Sequence, residues 1–184
     1  MAEADLSILC EWRNSDVFLK NCSNRRNHVT VEEFAIELKK DFERDRHEQF
    51  IIELRRAGEP IGTIYSYNFR SADGYAFVTT FLADGFRNKG YGAEAFAIFL
   101  YHLFTVHDLY KVYTEIYSYN GDSLKAMQGA GFTEEGRFRN QRLFKGARYD
   151  VLRYAVFRDD LPRARLFLQR LGLTRLGLIL DEKV

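Results

Sequence analysis

The sequence predicts one mixed α/β domain of the α+β kind, in which helices cover both faces of a mostly antiparallel sheet. Strand-like and helix-like stretches follow one another in the order helix, helix, three strands, helix, strand, helix and two strands. Short turns join the three consecutive strands, so these strands form an antiparallel meander. The apolar helix after the meander leads into another strand, and such a crossover places that strand parallel to the last meander strand.

Composition excludes several other classes of protein. The 184 residues are 46% hydrophobic and 29% charged, which is enough for a packed core. The 27 Lys and Arg against 26 Asp and Glu leave a net charge of +1, unlike a protein that mainly binds nucleic acid. Two cysteines cannot form a disulfide framework, and no apolar run approaches the ~20 residues of a membrane span. We therefore expect a cytoplasmic protein with reduced thiols, no membrane contact and, from the scattered histidines, no metal.

Two helices are expected before the sheet. Asp5 can cap the first helix, residues 14–16 end it, and a polar loop covers 20–29. Thr30 and Glu33 have the spacing of a capping box, in which the Thr30 hydroxyl accepts from the Glu33 amide and the carboxylate reaches back. The second helix carries three apolar side chains on one face, Phe34, Leu38 and Phe42.

The remaining elements follow from hydrophobic spacing and turn residues. The helix over 90–105 is almost wholly apolar and must be largely buried. Gly131 suits a left-handed cap at the end of a short helix, 123–130. The other predicted elements are meander strands 49–55, 61–68 and 75–82, strand 111–117, a hairpin of 133–141 and 148–157 around 144–146, and a last helix 162–171 before a Leu-rich tail.

The segment from Arg87 to Gly92 predicts an anion site. Its two glycines allow a ligand to approach the backbone closely, and the helix that follows offers free N–H groups and a positive dipole end. Arg87 and Lys89 add positive charge, so a pyrophosphate would fit. Two other interpretations are glycines that only relax a turn and a dinucleotide-binding loop, which the intervening residues Ala83–Lys89 disfavour because its first glycine should follow the strand directly.

The same segment resembles the pyrophosphate loop of the GNAT N-acetyltransferases, Gln/Arg-x-x-Gly-x-Gly/Ala, at every fixed position. Trp12-Arg13-Asn14 resembles an element of the branch that holds ribosomal-protein N-terminal and spermidine acetyltransferases. Asn120, Ser123 and Gly131-Phe132 resemble a later motif of that branch, and Tyr149-Asp150-Val151 resembles its penultimate strand. The resemblance implies an acetyltransferase domain over 1–160, with a central sheet that splays in the middle. The tail 161–184 would pack on the domain or on a partner subunit.

The resemblance implies direct transfer of an acetyl group from acetyl-CoA to a primary amine in a ternary complex. The acceptor would be a protein N-terminus, a polyamine or a small molecule. The loop 20–29 and the hairpin 144–150 would flank its channel. The residues that would bind the donor are Phe81, Leu82, Ala83, Arg87, Asn88, Lys89, Gly90, Tyr91, Gly92, Asn120 and Ser123.

The candidate catalytic residues are Glu115 and Ser123. Glu115 would act as base or position the amine, with Tyr113 and Tyr117 on its face of the strand; a satisfied strand carboxylate is the other interpretation. Ser123 would steady or protonate the departing sulfur, and its other interpretation is a helix N-cap. Weaker base candidates are Glu134, Glu135 and Asp150.

Two positions depart from the family pattern for catalysis. Phe77 and Met127 stand where many relatives carry Glu and Tyr. An alternative function is therefore an acyl-CoA-binding regulatory module without catalysis.

The family also usually opens with a strand that pairs in the sheet, and the first predicted helix here begins within five residues of Met1. We expect an exposed sheet edge, or an edge that takes a strand from a partner, as in a homodimer.

Overall fold

A six-stranded mixed sheet organises the fold in the order β1-β2-β3-β4-β6-β5. The computed structural model describes residues 3–23, 25, 27–44, 46–162 and 166. All neighbouring strands are antiparallel except β3 and β4, which are parallel. The predicted fold class is confirmed. The strands are β1 (Arg46–Leu54), β2 (Glu59–Arg70), β3 (Tyr75–Leu82), β4 (Lys111–Tyr117), β5 (Thr133–Phe144) and β6 (Ala147–Phe157).

Helices cover both faces of this sheet. On one face the apolar helix α4 packs on Ile64, Val78 and Val112, which belong to three central strands. On the other face the N-terminal helices pack on Phe81, largely through Trp12 and Phe18. Strand alternation separates these two apolar sets, because successive side chains point to opposite faces. The helices are α1 (Glu3–Asn14), α2 (Asp16–Asn21), α3 (Val31–Arg44), α4 (Tyr91–Val106) and α5 (Gly121–Ala130).

Strands β3 and β4 part in the middle of the sheet. They pair only over Tyr75–Phe77 and Lys111–Tyr113. Beyond that point β3 continues to Leu82 along β2, and β4 continues to Tyr117 along β6. The splay that the resemblance implied is therefore present, and it opens toward the start of α4.

Local signals placed most boundaries correctly. Thr30 Oγ1 accepts from the Glu33 amide at 3.2 Å and Glu33 Oε2 accepts from the Thr30 amide at 2.8 Å, so the capping box is confirmed. Gly131 caps α5 in the left-handed region with φ 75°. Lys145 and Gly146 both have positive φ, which gives the β5–β6 hairpin the turn that suits twisted strands.

The N-terminal region differs from the prediction at two points. Asp5 lies inside α1 and does not cap it. Ser15 ends α1 and also caps α2, a helix that was not predicted; the Ser15 hydroxyl accepts from the Phe18 amide at 3.2 Å. On the predicted face of α3, Phe34 and Leu38 are buried and Phe42 is 40% exposed.

Over the part of the chain that is described, β1 forms one edge of the sheet and β5 forms the other. The predicted helix 162–171 and the Leu-rich tail lie outside the described residues, apart from Pro162 and Leu166.

Candidate active site

The backbone of β3 turns polar groups into the splay. The Ala83 amide donates to the Ile61 carbonyl at 2.9 Å, which fixes the alternation of the β2–β3 ladder. In an antiparallel ladder every second residue turns its N–H and C=O away from the partner strand. Thr80 and Leu82 are those residues here, so their backbone groups face the splay where β4 has moved away.

Three residues of this strand, Phe81, Leu82 and Ala83, are predicted to bind acetyl-CoA. Of these, only Leu82 turns its backbone N–H and C=O groups into the splay. Phe81 and Ala83 turn their backbone groups toward β2 instead. The Phe81 ring is buried against Trp12 and Phe18, with centroid distances of 5.9 and 5.3 Å. Thr80 has the same orientation as Leu82, although it was not predicted as a site residue.

The predicted anion loop lies at the open end of the splay. Gly90 is the N-cap of α4 with φ 89°, and Asn88 also has a positive φ of 61°. Glu94 is the residue whose amide bonds back to the Gly90 carbonyl, at 3.0 Å. The amides of Tyr91, Gly92 and the residue after them therefore lack partners within the helix.

Two basic side chains accompany these amides. Arg87 is close enough to Cys22 to oppose the rise in the pKa of that thiol. Lys89 lies over the Phe86 ring, with Nζ 5.9 Å from the centroid. The loop thus combines free N–H donors, a helix dipole and positive charge, as an anion site requires.

The start of α5 contacts the loop Arg87–Gly92. Asn88 Nδ2 donates to Asp122 Oδ2 at 3.2 Å, which links the loop to the first turn of α5. Asn120 is the N-cap of α5, and its own amide donates to the Tyr117 carbonyl at 2.8 Å. Ser123 is the third helical residue, so its interpretation as an N-cap is wrong. The residues predicted to bind acetyl-CoA, on β3, in the loop Arg87–Gly92 and at the start of α5, therefore lie together at one end of the splay.

Glu115 is held firmly on β4 by an arginine from β6. Arg153 Nε and Nη2 donate to Glu115 Oε1 at 3.0 and 2.7 Å. The guanidinium lies between Phe77 and Phe138, 4.9 Å from each ring centroid. Because both contacts go to Oε1, Oε2 is the oxygen that a substrate can use.

The weaker carboxylate candidates are engaged away from the splay. Glu135 accepts from Lys111 at 2.8 Å and from the Tyr113 hydroxyl at 2.7 Å. The lysine hydrogen bond lowers the pKa of Glu135. Glu134 and Asp150 both lie near Arg137, at 3.3 and 3.7 Å.

A cleft of about 380 Å³ separates the sheet from the N-terminal helices, and Glu115 lines it. Charged, polar and aromatic side chains line it together. The Tyr67 hydroxyl bonds to Thr79, and burial raises the pKa of this tyrosine. The aromatic residues of the lining are Phe18, Phe34, Tyr65, Tyr67 and Tyr117.

Cys22 is a cleft residue that the sequence reading did not select. Its Sγ lies 3.8 Å from the Thr80 carbonyl oxygen, beside the splay. The residue is partly exposed, whereas burial of its thiol raises the pKa to about 12 despite the charge of Arg87. The sequence around Cys22 is a polar loop and does not indicate that its thiol lies at the cleft. The thiol reaches that place because α2 ends at Asn21.

Within the ranges given above, no helix has both the length and the apolar character needed to cross a bilayer. The same residues include no cluster of three or more His, Cys, Asp or Glu side chains arranged around a possible metal ion.

Known proteins share both the sequence pattern and the fold. A family model described as an acetyltransferase (GNAT) domain matches residues 1–133. An uncharacterized N-acetyltransferase from the SPbeta prophage of Bacillus subtilis, YokL, is 32% identical over 75 residues. That match spans 41% of this chain and 42% of the relative.

Solved structures show the same architecture at low sequence identity. The spermidine N-acetyltransferase of Vibrio cholerae, crystallised with CoA and spermine, has a TM-score of 0.78 at 18% identity and covers 88% of this chain and 95% of its own. A GNAT-family acetyltransferase from Bacillus anthracis has a TM-score of 0.69 at 18% identity, covering 85% and 90%. With a family model matched over residues 1–133 and the splayed sheet in place, the chain belongs to the GNAT acetyltransferase family.

Proposed function

We propose that this protein transfers the acetyl group of acetyl-CoA directly to a primary amine within a ternary complex. The observation that carries the proposal is the splay between β3 and β4. Thr80 and Leu82 turn backbone groups into it, and the start of α4 lies at its end. Such a gap can bind the extended pantetheine arm of the donor, whose amide groups would take the place of a neighbouring strand.

The donor would lie along the parted strands. The amides at the start of α4, together with Arg87 and Lys89, would hold the pyrophosphate. The backbone groups of Thr80 and Leu82 would pair with the amides of the pantetheine arm. Thr80 Oγ1 is also buried and has no hydrogen-bond partner among the described residues, so a polar ligand here would satisfy it.

The reaction needs a neutral amine, because an ordinary alkylammonium group titrates near ~10.4. Glu115 Oε2 would accept the amine proton, directly or through water. The nitrogen then attacks the thioester carbonyl, the C–N bond forms and the C–S bond breaks. The Leu82 amide would stabilise the oxyanion. The attacking nitrogen then loses its second proton, and the released thiolate takes up that proton through water, with Ser123 and the positive end of α5 nearby and Asn120 beside the arm.

The acceptor is open within the class of primary amines. The Vibrio cholerae relative was crystallised with spermine, which supports testing polyamines beside peptide N-termini and small amines. Since acetyl-CoA is a metabolite of the cell interior, the proposed reaction belongs in the cytoplasm.

A regulatory module that binds acyl-CoA without catalysis is the second candidate function. Two observations favour it: Phe77 and Met127 replace polar residues that many relatives have, and Arg153 already occupies one oxygen of Glu115. Such a module would bind the donor and release no thiol.

Donor binding is tested by calorimetric titration of the protein with CoA. Arg87→Ala should weaken binding roughly tenfold, since a hydrogen bond to a charged group is worth about 1.5–3 kcal/mol. Lys40→Ala, on the exposed side of α3, is the control and should leave the affinity unchanged. Wild-type protein that takes up no CoA would refute the proposal.

Catalysis is tested by thiol release from acetyl-CoA with a panel of amines. Glu115→Gln should lower kcat about 10²-fold, the usual contribution of a positioned base, while CoA affinity stays within about twofold. Glu53→Gln on the edge strand is the control. Tight CoA binding without turnover of any amine would favour the regulatory module instead.

A further inference from the structure

We infer that the acceptor is a primary monoamine with an apolar, aromatic body, and that the cleft selects against polyamines. The inference rests on the proposed function, because it assigns the substrate class of the same cleft. It stands on the charge balance of the cleft, on the burial of Arg13 within the ion-pair network, and on the aromatic residues of the lining.

The charges in the cleft are already compensated. Among the described lining residues the carboxylates are Glu37, Asp41 and Glu115. Glu37 Oε2 lies 3.4 Å from Arg13 and 3.0 Å from Arg25, and Asp41 Oδ1 lies 2.8 Å from Arg25. Glu115 is paired with Arg153 at 2.7 Å. A substrate with several ammonium groups therefore meets three carboxylates that three arginines already neutralise.

Arg13 is the component of this network that is hardest to displace. The residue is 4% exposed, and its Nη1 also donates to the Asn27 carbonyl at 3.2 Å. A second ammonium group at Glu37 would have to compete with this buried guanidinium. Breaking a buried ion pair leaves an uncompensated charge and is strongly unfavourable.

Several polar side chains of the cleft are also engaged within the protein. Gln49 Nε2 donates to Thr63 Oγ1 at 3.1 Å, and that hydroxyl donates to the Phe50 carbonyl at 2.9 Å. The Tyr67 hydroxyl bonds to Thr79. Glu115 contacts one arginine through one oxygen, whereas Glu37 contacts two arginines and Asp41 shares one of them. The substrate ammonium is therefore assigned to Glu115 Oε2.

The body of the substrate would lie against rings. Tyr65 and Tyr67 have centroids 6.0 Å apart, and Tyr67 continues into a tilted contact with Phe77 at 5.5 Å. Aromatic surfaces bind flat apolar groups in stacked or edge-on geometry. The cleft volume of about 380 Å³ lies at the low end of small-molecule sites, about 300–1,000 Å³. One aromatic ring on a short aminoalkyl chain fits that space.

The test compares amines at equal acetyl-CoA concentration by thiol release. The panel is phenethylamine, hexylamine, putrescine, spermidine and a short peptide with a free N-terminus. We expect phenethylamine to have a kcat/KM about tenfold or more above that of spermidine, with hexylamine in between. Spermidine, putrescine or the peptide at the top of the ranking would overturn the inference and leave the acetyltransferase function intact.

A variant probes the charge compensation itself. Arg25→Gln removes the arginine that contacts both Glu37 and Asp41, so the ratio of kcat/KM for spermidine to that for phenethylamine should rise about tenfold. Arg56→Gln, at the exposed β1–β2 turn, should leave this ratio unchanged. An Arg25→Gln protein that binds CoA normally but keeps the wild-type ratio would contradict the inference.

Failure of the proposed function has a different result. If the wild type binds CoA but acetylates no member of the panel, the proposed function fails and the substrate class fails with it. Should the Arg25→Gln protein not fold, the wild-type ranking alone decides the matter.

Discussion

Cys22 places a thiol on the wall of the cleft, 3.8 Å from the Thr80 carbonyl and beside the proposed path of the donor. Burial raises the pKa of this thiol to about 12. The neutral thiol is therefore the dominant form at physiological pH, and it is a poor nucleophile. We expect Cys22 to take no covalent part in the transfer, in keeping with direct attack by the amine.

The chemical reactivity of Cys22 should report on both burial and donor binding. At pH 8 iodoacetamide should modify it at least about tenfold more slowly than a free peptide thiol, because few molecules carry the thiolate. CoA should slow the reaction further. Peptide mass mapping follows Cys22 and the core residue Cys10 in one sample, and Cys10 is the internal control. Equal rates for Cys22 with and without saturating CoA would contradict the proposed path.

The residue scale also shows what the sequence could and could not predict. Alternation along β4 was enough to place Tyr113, Glu115 and Tyr117 on one face. The partner of Glu115 was not predictable, since Arg153 lies 38 positions away and reaches it only through the β4–β6 register. The same is true of Thr80, whose role follows from one hydrogen bond that fixes the β2–β3 ladder.

At the scale of elements, β2 and β3 approach each other closely at Gly62. A Cβ added there would clash with the Phe81 carbonyl oxygen and lie 2.9 Å from Leu82 Cδ2. Both of those residues lie on the strand that borders the splay. Gly62 therefore permits the strand contact that positions the Leu82 backbone.

Gly62→Ala should destabilise the protein by about 1–3 kcal/mol, because the β3 backbone must shift to relieve the clash. Gly121→Ala is the matched control, since a Cβ at that position has open space. Urea unfolding of the two variants measures the difference. A Gly62→Ala protein as stable as the control would show that β3 adapts easily at this point.

Arg142 of β5 stabilises the short helix α2 by hydrogen bonds to two of its carbonyl groups. The residue is 5% exposed, and its Nη2 donates to the carbonyls of Leu19 and Lys20 at 3.0 and 3.3 Å. Its guanidinium lies 4.4 Å from the Tyr117 ring centroid. This tie explains why α2 was missed from the sequence, because a helix of six residues depends on a partner more than 120 positions away.

Arg142→Met should loosen α2 and leave its last carbonyls without a donor. We expect the free energy of unfolding to fall by about 1–3 kcal/mol, the cost of unsatisfied buried groups. The KM for the amine should rise more than the Kd for CoA, because the body of α2 borders the acceptor cleft and only Cys22 at its end approaches the donor path. Arg139→Met, an exposed position on the same strand, is the control in both assays. Weaker CoA binding with an unchanged amine KM would refute this assignment.

At the scale of the whole molecule, tertiary contacts join the two halves of the sheet in addition to the short β3–β4 ladder. Helix α4 packs on strands from both halves. Arg158 follows β6 and donates to the carbonyls of Phe104 and Leu109, both at 2.8 Å. Pairing over Tyr75–Phe77 alone would leave a weak junction, so these contacts stabilise the splayed arrangement.

Charge pairs add a pH-dependent part to the stability. The hydrogen bond from Lys111 lowers the pKa of Glu135 in the folded state. The stabilisation is therefore present above the unfolded value of about 4.3 and is lost as pH falls through the lower folded value. Since the pair is partly exposed, it contributes at most about 1 kcal/mol.

Denaturant unfolding of Glu135→Gln at several pH values tests this contribution. The variant should be less stable than wild type at pH 7, and the difference should shrink as pH falls below the ordinary glutamate value and vanish once Glu135 is protonated in the folded state. Glu53→Gln on the edge strand serves as the control with no such trend. A difference that stays constant throughout acid titration would mean that the glutamine perturbs packing and not charge.

Because β3 and β4 separate, a bound donor would pair with the sheet like a seventh strand for as long as it stays bound. The amides of Thr80 and Leu82 should then exchange with deuterium quickly in the empty protein and slowly once CoA fills the groove. Thermal unfolding should move upward with ligand concentration, since only the native chain offers this groove. Each turnover would thus stiffen and relax the centre of the sheet, and departure of the product CoA would have to undo that stiffening.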